Sequence, residues 1–417
     1  MRHLLVLFAA VGLAQTPEEK VKTLMASPKY KAATSFLGAD YDRFVRELIE
    51  LTEIPAPPFK ETVRGKAYLQ KLRELGLQDV EMDPEGNVMG VRKGTGGAPM
   101  LAILAHLDTV FPEGTNVKVK REGTILKAPG VGDDTRGLAL MLQIIRTLDA
   151  VKYQTESDIL FCGNVGEEGE GDLRGVKYLL NKGKYKDRIK LFFSIDGGEQ
   201  DSITNGGVGS KRYRVVFTGP GGHSYGAFGL VNPAYAMANA IAKFAKFQVP
   251  EKPKTTFNVG VVNGGTSVNS IPFEVSMDVD MRSESREELN KLTDKFHGIL
   301  FEAVEEENKA RSTAQGKIQV EAKLIGDRPN GETPANSSFI KNISAVVTAF
   351  GMKPSYRISS TDSNIPISLG IPAATIGRGK GGRQHSLDEW VDVQKSGAVL
   401  AAQVALLTFL VTAGTTE

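Results

Sequence analysis

The feature that most constrains the fold is a repeated alternation between short apolar runs and segments with helical period. Apolar runs at 100–105, 159–165 and 191–195 each end in polar residues, and a helix-periodic segment at 134–148 separates the first two. Runs that are apolar throughout are typical of strands buried on both faces of a parallel sheet. We therefore predict an α/β fold with a mostly parallel sheet and helices on both faces. Its functional site should lie at the carboxyl ends of the strands.

A change of period near residue 209 predicts a second structural unit. From there the order becomes strand, helix, two strands, helix and strand, which is typical of an α+β sandwich, and α/β character then returns. A chain of 417 residues also exceeds the size at which a single core stops growing. We therefore predict a catalytic domain formed by residues 15–208 and 325–417, with an inserted α+β domain at 209–324.

The N-terminus predicts an exported protein. Arg2 and His3 precede an apolar run that ends in small residues, so residues 1–14 have the arrangement of a cleavable signal peptide. A buried first helix or strand is the alternative interpretation. The run is too short to anchor the chain stably in a bilayer. We expect a secreted or periplasmic protein, in which residues 15–38 form an N-terminal extension with weak helical character.

The charge pattern limits the classes of partner. The chain has 51 basic and 49 acidic side chains, a net charge of +2, and both signs are interspersed. No basic stripe favours nucleic acid, and no acidic tail is present. The glycine-rich segment at 94–97 lacks the lysine and the helix of a phosphate-binding loop. The sequence therefore excludes nucleic acid as the partner and leaves a small substrate.

Two of the five histidines stand in candidate metal-binding positions. His106 directly follows an apolar run, and Asp108 shares its strand face because residues i and i+2 point the same way. A carboxylate commonly orients a histidine that binds metal. His385 lies in a glycine-rich segment near the C-terminus. Taken alone, the histidine of a His-x-Asp sequence is more often exposed at the surface, or buried in the core with its hydrogen bonds already made.

Carboxylates occupy the other positions that the predicted topology brings to the same edge. Asp133 and Asp134 open a predicted helix, Glu167 and Glu168 follow the second apolar run, and Asp196 follows the third. Each pair alone also fits helix-capping charges or solvated loop acids. Together with the two histidines, however, they form the nitrogen and oxygen ligand set that two zinc ions need, with one carboxylate shared. Such a centre activates water, and the spare glutamate would act as general acid and base.

Nine short motifs in chain order resemble the M20 family of metallopeptidases, which includes enzymes similar to peptidase T and to carboxypeptidase G2. The motifs are HLD, GDDTRG, GNVGEEGEG, SIDGGE, GGHS, NGGTSVNSIP, DVDMRS, STDSN and GRQHS. The resemblance spans roughly residues 40–410. It implies a zinc-peptidase-like catalytic domain with an inserted lid domain through which two chains form a homodimer.

The resemblance also implies a role for each candidate residue in the catalytic domain. Five side chains would bind two zinc ions per chain: His106 and Asp196 the first, Glu168 and His385 the second, and Asp133 both. Cobalt or manganese would also suit these ligands. Asp108 would orient His106, and Glu167 would be the general acid and base. The peptide bond between Asp133 and Asp134 is expected to be cis.

Three further residues of the inserted domain acquire roles from the resemblance. His223 would reach the active site of the neighbouring subunit and stabilise the oxyanion there. Asn269 and Arg282 would hold a terminal carboxylate of the substrate. The alternative for His223 is a histidine whose hydrogen bonds are made within its own turn. The alternative for Arg282 is an ordinary charged residue at the end of a strand.

The leading functional hypothesis is a two-zinc aminopeptidase that acts on tripeptides or other short peptides. Asp196 and the segment at 360–364 are similar to the tripeptidase branch of the family. An N-acyl amino acid deacylase or a carboxypeptidase with the same metals is the alternative enzyme. A catalytically inactive binding protein is the alternative outside catalysis, although the spare glutamate and all the ligands are present.

Overall fold

A computed structural model describes residues 15–415, so the expected signal peptide at 1–14 lies outside the described residues. In chain order the α-helices are α1 (Pro17–Ala26), α2 (Pro28–Ala39), α3 (Tyr41–Thr52), α4 (Thr62–Glu74), α5 (Thr135–Ala150), α6 (Arg174–Asn181), α7 (Pro233–Phe244), α8 (Arg286–Ala310), α9 (Ser338–Ala349), α10 (Asn364–Ser368) and α11 (Lys395–Ala413). The strands are β1 (Gln78–Met82), β2 (Val88–Arg92), β3 (Ala98–His106), β4 (Lys120–Glu122), β5 (Ile125–Lys127), β6 (Ser157–Asn164), β7 (Ile189–Gly197), β8 (Ser202–Gly207), β9 (Gly209–Thr218), β10 (Gly222–His223), β11 (Thr255–Gly264), β12 (Ser270–Ile271), β13 (Glu274–Ser283), β14 (Gln319–Arg328), β15 (Gly331–Glu332), β16 (Ser355–Ser359), β17 (Ala373–Gly377), β18 (Gly381–Gly382) and β19 (Trp390–Asp392).

The larger sheet has nine strands in the order β1-β2-β6-β3-β7-β17-β8-β15, with β16 paired to β8. Its centre is parallel, because β3 pairs in parallel with β6 and β7, and β7 with β17. Antiparallel pairs occur towards both edges, at β1–β2, β2–β6 and β17–β8. The predicted α/β fold with a mostly parallel sheet is therefore confirmed.

Two hydrophobic cores, one on each face of this sheet, explain why its central strands are apolar throughout. In β3, Leu101 and Ile103 belong to the core that includes α5 and α11, whereas Ala102 and Leu104 belong to the core that includes α6 and α10. Successive side chains of a strand point to opposite faces. A strand between two helical layers must therefore be apolar at every position, as the sequence analysis assumed.

Residues 15–38 are more ordered than the expected extension. They form α1 and α2, each of which begins with a capping side chain, Thr16 or Ser27, followed by proline at the first helical position. Val21 and Leu37 are buried in the main core, where the two helices contact α5, α9 and α11. A hydroxyl cap followed by proline is a local signal for a helix start, so the sequence contained this information.

A smaller antiparallel sheet, in the order β11-β13-β9-β14, follows the larger sheet along the chain. Helices α7 and α8 pack on one face of it and enclose a separate hydrophobic core. The pair β10–β12 lies outside this sheet. Strand β14 continues to Arg328, four residues beyond the predicted end of the inserted domain.

Helix α11 is the helix of the described chain whose length and hydropathy would let it cross a membrane. In this fold, 67% of its most apolar window is buried. It contacts α1, α2, α5, α9 and three strands of the larger sheet. A helix that is apolar all round is expected in such a core position.

Candidate metal centre

The carboxyl edge of the parallel strands brings the predicted ligands together. Strand β3 ends at His106, and Asp196 is the penultimate residue of β7. Glu168 follows β6 closely, and β6 pairs in parallel with β3. Since neighbouring parallel strands end at the same edge, side chains far apart in sequence meet there.

The carboxylate of Asp133 lies between the two candidate histidines. Its Oδ1 is 3.0 Å from Nε2 of His106, and its Oδ2 is 3.3 Å from Nε2 of His385. Nε2 of His385 also lies 2.8 Å from Oε1 of Glu168. Zinc–ligand bonds of 2.0–2.1 Å place neighbouring ligand atoms of a tetrahedral site about 3.3–3.4 Å apart. His106, Asp133 and Glu168 offer ligand atoms that all lie within 4.8 Å of one another, and His106, Asp134 and Asp196 form a second such group.

The loop that carries Asp133 is held by a buried glutamate that the sequence analysis did not identify. The carboxylate of Glu389 accepts hydrogen bonds from the backbone amides of Gly130, Gly132 and Asp133, at 3.0, 2.7 and 2.8 Å. The peptide bond between Asp133 and Asp134 is cis, which confirms that expectation. Glu389 stands four residues after His385, so one short segment supplies both a candidate ligand and the support of the bridging carboxylate.

Asp108 makes a different contact from the one that the resemblance implied. Nδ1 of His106 lies 3.0 Å from the backbone carbonyl oxygen of Asp108, whereas the nearest carboxylate oxygen of Asp108 is 3.7 Å away. The carboxylate instead accepts hydrogen bonds from the amides of Glu167 and Glu168, at 3.1 and 2.8 Å. Asp108 therefore orients the imidazole through its main chain and the two glutamates through its side chain.

Glu167 is paired with an arginine from the smaller sheet. Its side chain is buried, and Nη1 of Arg328 lies 3.2 Å from its Oε1 and 3.0 Å from Oγ of Ser360. Arg328 also donates to the backbone carbonyl of Glu167. Burial raises the pKa of Glu167 well above its usual value, and the charge of Arg328 opposes this increase. Arg328 was missed because an arginine at the end of a strand gives no local sign of burial.

A second unpredicted arginine, Arg378, lies among the carboxylates on the other side of the site. Its guanidinium is 2.9 Å from Oδ1 of Asp134 and 3.4 Å from Oδ1 of Asp133, and it also contacts Asp196. Asp134 is fully buried and accepts a hydrogen bond from the amide of His106 at 3.2 Å. Oδ1 of Asp196 is 3.9 Å from Nε2 of His106, so the ligand atoms are less closely gathered here than beside His385.

The centre concentrates negative charge. Seven carboxylates are buried or nearly buried around the imidazoles, namely those of Asp108, Asp133, Asp134, Glu167, Glu168, Asp196 and Asp362. Within residues 15–415, the arginines that contact them directly are Arg328 and Arg378.

Burial and hydrogen bonds shift the pKa values of several groups in the centre. Burial raises the pKa of Asp196 to about 6 and that of Asp362 to about 7. Hydrogen bonds to Asp133 and Glu168 raise the pKa of His385 to about 10. Divalent cations would relieve this excess of negative charge.

A cavity of about 480 Å³ opens onto the centre. Its wall includes Asp133, Glu167, Glu168, Asp196 and His385, together with Arg212, Arg282 and Arg328. Arg282 therefore lines the cavity that opens onto the centre, and its contact with a terminal carboxylate of the substrate stays a prediction.

His223 and Asn269 do not line this cavity. Both lie at the β10–β12 pair, where the amide of Ser224 donates to the carbonyl of Asn269 at 2.9 Å. Nδ1 of His223 accepts from the amides of Tyr225 and Gly226 at 3.2 Å each, and both His223 and Asn269 are exposed. Neither residue is in contact with the candidate metal ligands of its own chain.

Comparison with known sequences gives one family. The sequence model of peptidase family M20/M25/M40 matches residues 102–410. The uncharacterized protein YqjE of Bacillus subtilis is 24% identical over 361 residues, which cover 81% of this chain and 90% of that protein. Succinyl-diaminopimelate desuccinylase of Corynebacterium glutamicum is 24% identical over 357 residues, which cover 83% of this chain and 90% of that enzyme.

Comparison with solved structures gives the same fold. The aminopeptidase PepT from Bacillus cereus has a TM-score of 0.71 and 22% identity, covering 90% of this chain and 99% of that one. The YXEP protein of Bacillus subtilis, described as a dinuclear metal-binding peptidase of the M20 family, has a TM-score of 0.67 and 18% identity, covering 90% and 99%. Similarity at this level of identity establishes the shared architecture.

Proposed function

This chain belongs to peptidase family M20/M25/M40, and we propose that it is a dinuclear zinc aminopeptidase that removes the N-terminal residue of tripeptides and other short peptides. The family makes it a metallopeptidase or related hydrolase. The observation that carries the proposal is the position of Asp133 between two imidazoles, with Glu167 in the wall of the same cavity and paired with Arg328. The centre thus has both a ligand set and a spare acid–base group.

The ligands divide into two sets that share Asp133. His106 and Asp196 would hold one ion, and Glu168 and His385 the other. When bound, the two ions supply the Lewis acidity that polarises the scissile carbonyl and activates water. Zinc suits this nitrogen and oxygen ligand set, which would also accept Co²⁺ or Mn²⁺.

Glu167 is the residue that moves protons in the proposed reaction. It takes a proton from the attacking water and returns it to the amine that leaves. Burial raises its pKa towards the range in which one carboxyl group both accepts and donates a proton near neutral pH. Arg328 and the amide contact with Asp108 keep Glu167 and its backbone in place.

A homodimer through the inserted domain is part of this proposal. His223 and Asn269 lie away from the cavity of their own chain, beside the exposed side chains of Tyr225, Phe228 and Val268. Exposed apolar groups that cluster on one surface favour burial by a partner. In a two-fold dimer, each chain would lend His223 to the oxyanion of the other and Asn269 to its substrate.

We also propose that the protein is exported after cleavage near Ala14. The basis is the charged and apolar composition of residues 1–14. Sequencing of the mature N-terminus from a secreted or periplasmic fraction tests this. Full-length protein that retains Met1 in the cytoplasm would contradict it.

An N-acyl amino acid deacylase is the second candidate, favoured by the similarity to a desuccinylase. The test is digestion of a peptide library by metal-reconstituted protein, with mass detection of the end that is trimmed. We expect loss of the N-terminal residue, and we expect N-acetylation of a good substrate to abolish turnover. Release of the C-terminal residue, or faster turnover of acetylated substrates, would support the carboxypeptidase or deacylase. No turnover of any substrate would support a binding protein.

A further inference from the structure

A second cavity of about 310 Å³ lies next to the cavity of the metal centre. The two cavities share Arg282, Ser359 and Ser360 in their walls, so they are neighbours with Arg282 at the boundary. A substrate bound at the metal centre can therefore continue past Arg282.

Arg282 does not close the first cavity completely, and its positive charge is only partly neutralised by a neighbouring acid. Its Nε lies 2.7 Å from Oδ2 of Asp280, whose Oδ1 is 3.0 Å from Nε of Arg212. One carboxylate thus serves two guanidinium groups, and the side chain of Arg282 remains 40% exposed. Arg282 can donate a hydrogen bond to a carbonyl or carboxylate oxygen of a substrate that passes from one cavity to the other.

The second cavity combines the charged side chains of Lys254 and Glu284 with hydroxyl groups and an apolar surface. Lys254 directly precedes β11 and Thr256 lies in that strand. Ile358 lies in β16 of the larger sheet, and Val208 lies between β8 and β9. The backbone of Lys254 is fixed, because its amide donates to Oε2 of Glu284 at 2.9 Å and its carbonyl accepts from the amide of Glu284 at 3.1 Å. Within the part of the chain that the structure describes, the ammonium group of Lys254 has no ion-pair partner.

The charges predict which group binds there. Asp280 already offsets part of the positive charge at Arg282. Glu284 is the acid in the wall of the second cavity, but its carboxylate accepts the backbone amide of Lys254 and, among the described residues, forms no ion pair with the Lys254 ammonium group. A terminal carboxylate is the group of a short peptide that such a cation recognises. The hydroxyls of Thr256 and Ser359 can bind a peptide group beside it.

We propose that the second cavity is the subsite for the C-terminal residue of a tripeptide, with Lys254 binding the terminal carboxylate. This rests on the proposed peptidase function. The scissile bond lies at the metal centre, the middle residue passes Arg282, and the last residue occupies the second cavity. A dipeptide ends at Arg282 and does not reach Lys254. Lys254 is then the residue that makes tripeptides better substrates than dipeptides.

The experiment compares three substrates: alanyl-glycine, alanyl-glycyl-glycine and the C-terminal amide of that tripeptide. Steady-state kinetics are measured for the zinc-loaded wild type and for Lys254→Met, with Lys254→Arg as the charge-conserving variant. Lys246→Met is the matched control, because Lys246 is also an exposed lysine of the inserted domain but lines neither cavity. Thermal unfolding of each variant checks the fold.

In the wild type we expect amidation to lower kcat/KM about three- to tenfold, mainly through KM, as for a partly exposed charge pair. Lys254→Met should lower kcat/KM for the free tripeptide to the level of the amide, leave the amide and the dipeptide unchanged, and be rescued by Lys254→Arg. Lys246→Met should resemble the wild type.

The outcomes distinguish the subsite from the peptidase activity. If Lys254→Met still hydrolyses the tripeptide and amidation still lowers its kcat/KM, the proposed subsite is refuted and the peptidase activity is not. Equal loss on the dipeptide and the tripeptide would also overturn it. Absence of hydrolysis of every substrate by zinc-loaded wild type would overturn the peptidase activity and the subsite together.

Discussion

The variant Glu167→Gln should separate catalysis from metal binding. Glutamine has nearly the same shape as glutamate, and its amide oxygen can still accept the hydrogen bond from Arg328, now 3.2 Å from Oε1. The amide of residue 167 keeps its hydrogen bond to Asp108. The candidate ligand Glu168 is unchanged, so we expect both metal sites to remain.

The expected loss of turnover follows from the role of Glu167 as proton carrier. Removal of a general acid and base typically lowers kcat about 10²- to 10⁴-fold, which corresponds to about 2.7–5.4 kcal/mol in the activation free energy. KM should change little, because Glu167 is not proposed to bind substrate in its ground state.

The stability of the metal-free protein should change in the opposite direction. Burial raises the pKa of Glu167 in the folded state, so its ionised form is less stable there than in the unfolded chain. This penalty is absent below the unfolded pKa of about 4.3 and is complete above the folded pKa. Glutamine removes the penalty, so Tm of metal-free Glu167→Gln should exceed that of the wild type at pH 8, and the gain should disappear near pH 4.

The assay combines kcat, metal content per chain and thermal unfolding of the chelated protein at both pH values. Glu168→Gln is the matched control, and it should lose metal as well as activity. Turnover near the wild-type value in Glu167→Gln, with full metal content, would refute the role of Glu167 and point to Glu168. Loss of metal from Glu167→Gln would instead make Glu167 a ligand.

Three further predictions concern the metals and the dimer. Carefully prepared protein should contain about two metal ions per chain, and full activity with at most one ion would contradict the dinuclear centre. Zinc affinity should increase with pH between 6 and 8, because the pKa of His385 is about 10 without metal and the ion must displace its proton. Calorimetry in buffers of different ionisation enthalpy would reveal the released protons. A zinc affinity that stays constant over this pH range would contradict the prediction. Mixing inactive Glu167→Gln chains with inactive His223→Ala chains should restore about a quarter of wild-type activity if subunits share sites, whereas no recovery after demonstrated chain exchange would exclude sharing.

The sequence alone determined the architecture and the identity of the candidate ligands. Runs that are apolar at every position exist because the central strands are buried on both faces, as Leu101 and Ala102 show by entering opposite cores. Periodicity of this kind is local information. The position of His106 at the end of such a run is also local, and parallel pairing then brings it to the same edge as Asp196.

Only the tertiary structure decided how those ligands are held and neutralised. Arg378 contacts Asp196 and Asp134 across 182 and 244 residues of sequence, and Arg328 reaches Glu167 across 161. Nothing near these arginines in sequence distinguishes them from exposed charges, because their partners are set by the packing of distant strands. The same reason explains why the carboxylate of Asp108 binds two amides while its carbonyl orients His106. Local patterns specify which side chains arrive at the sheet edge, and long-range packing specifies which atoms meet there.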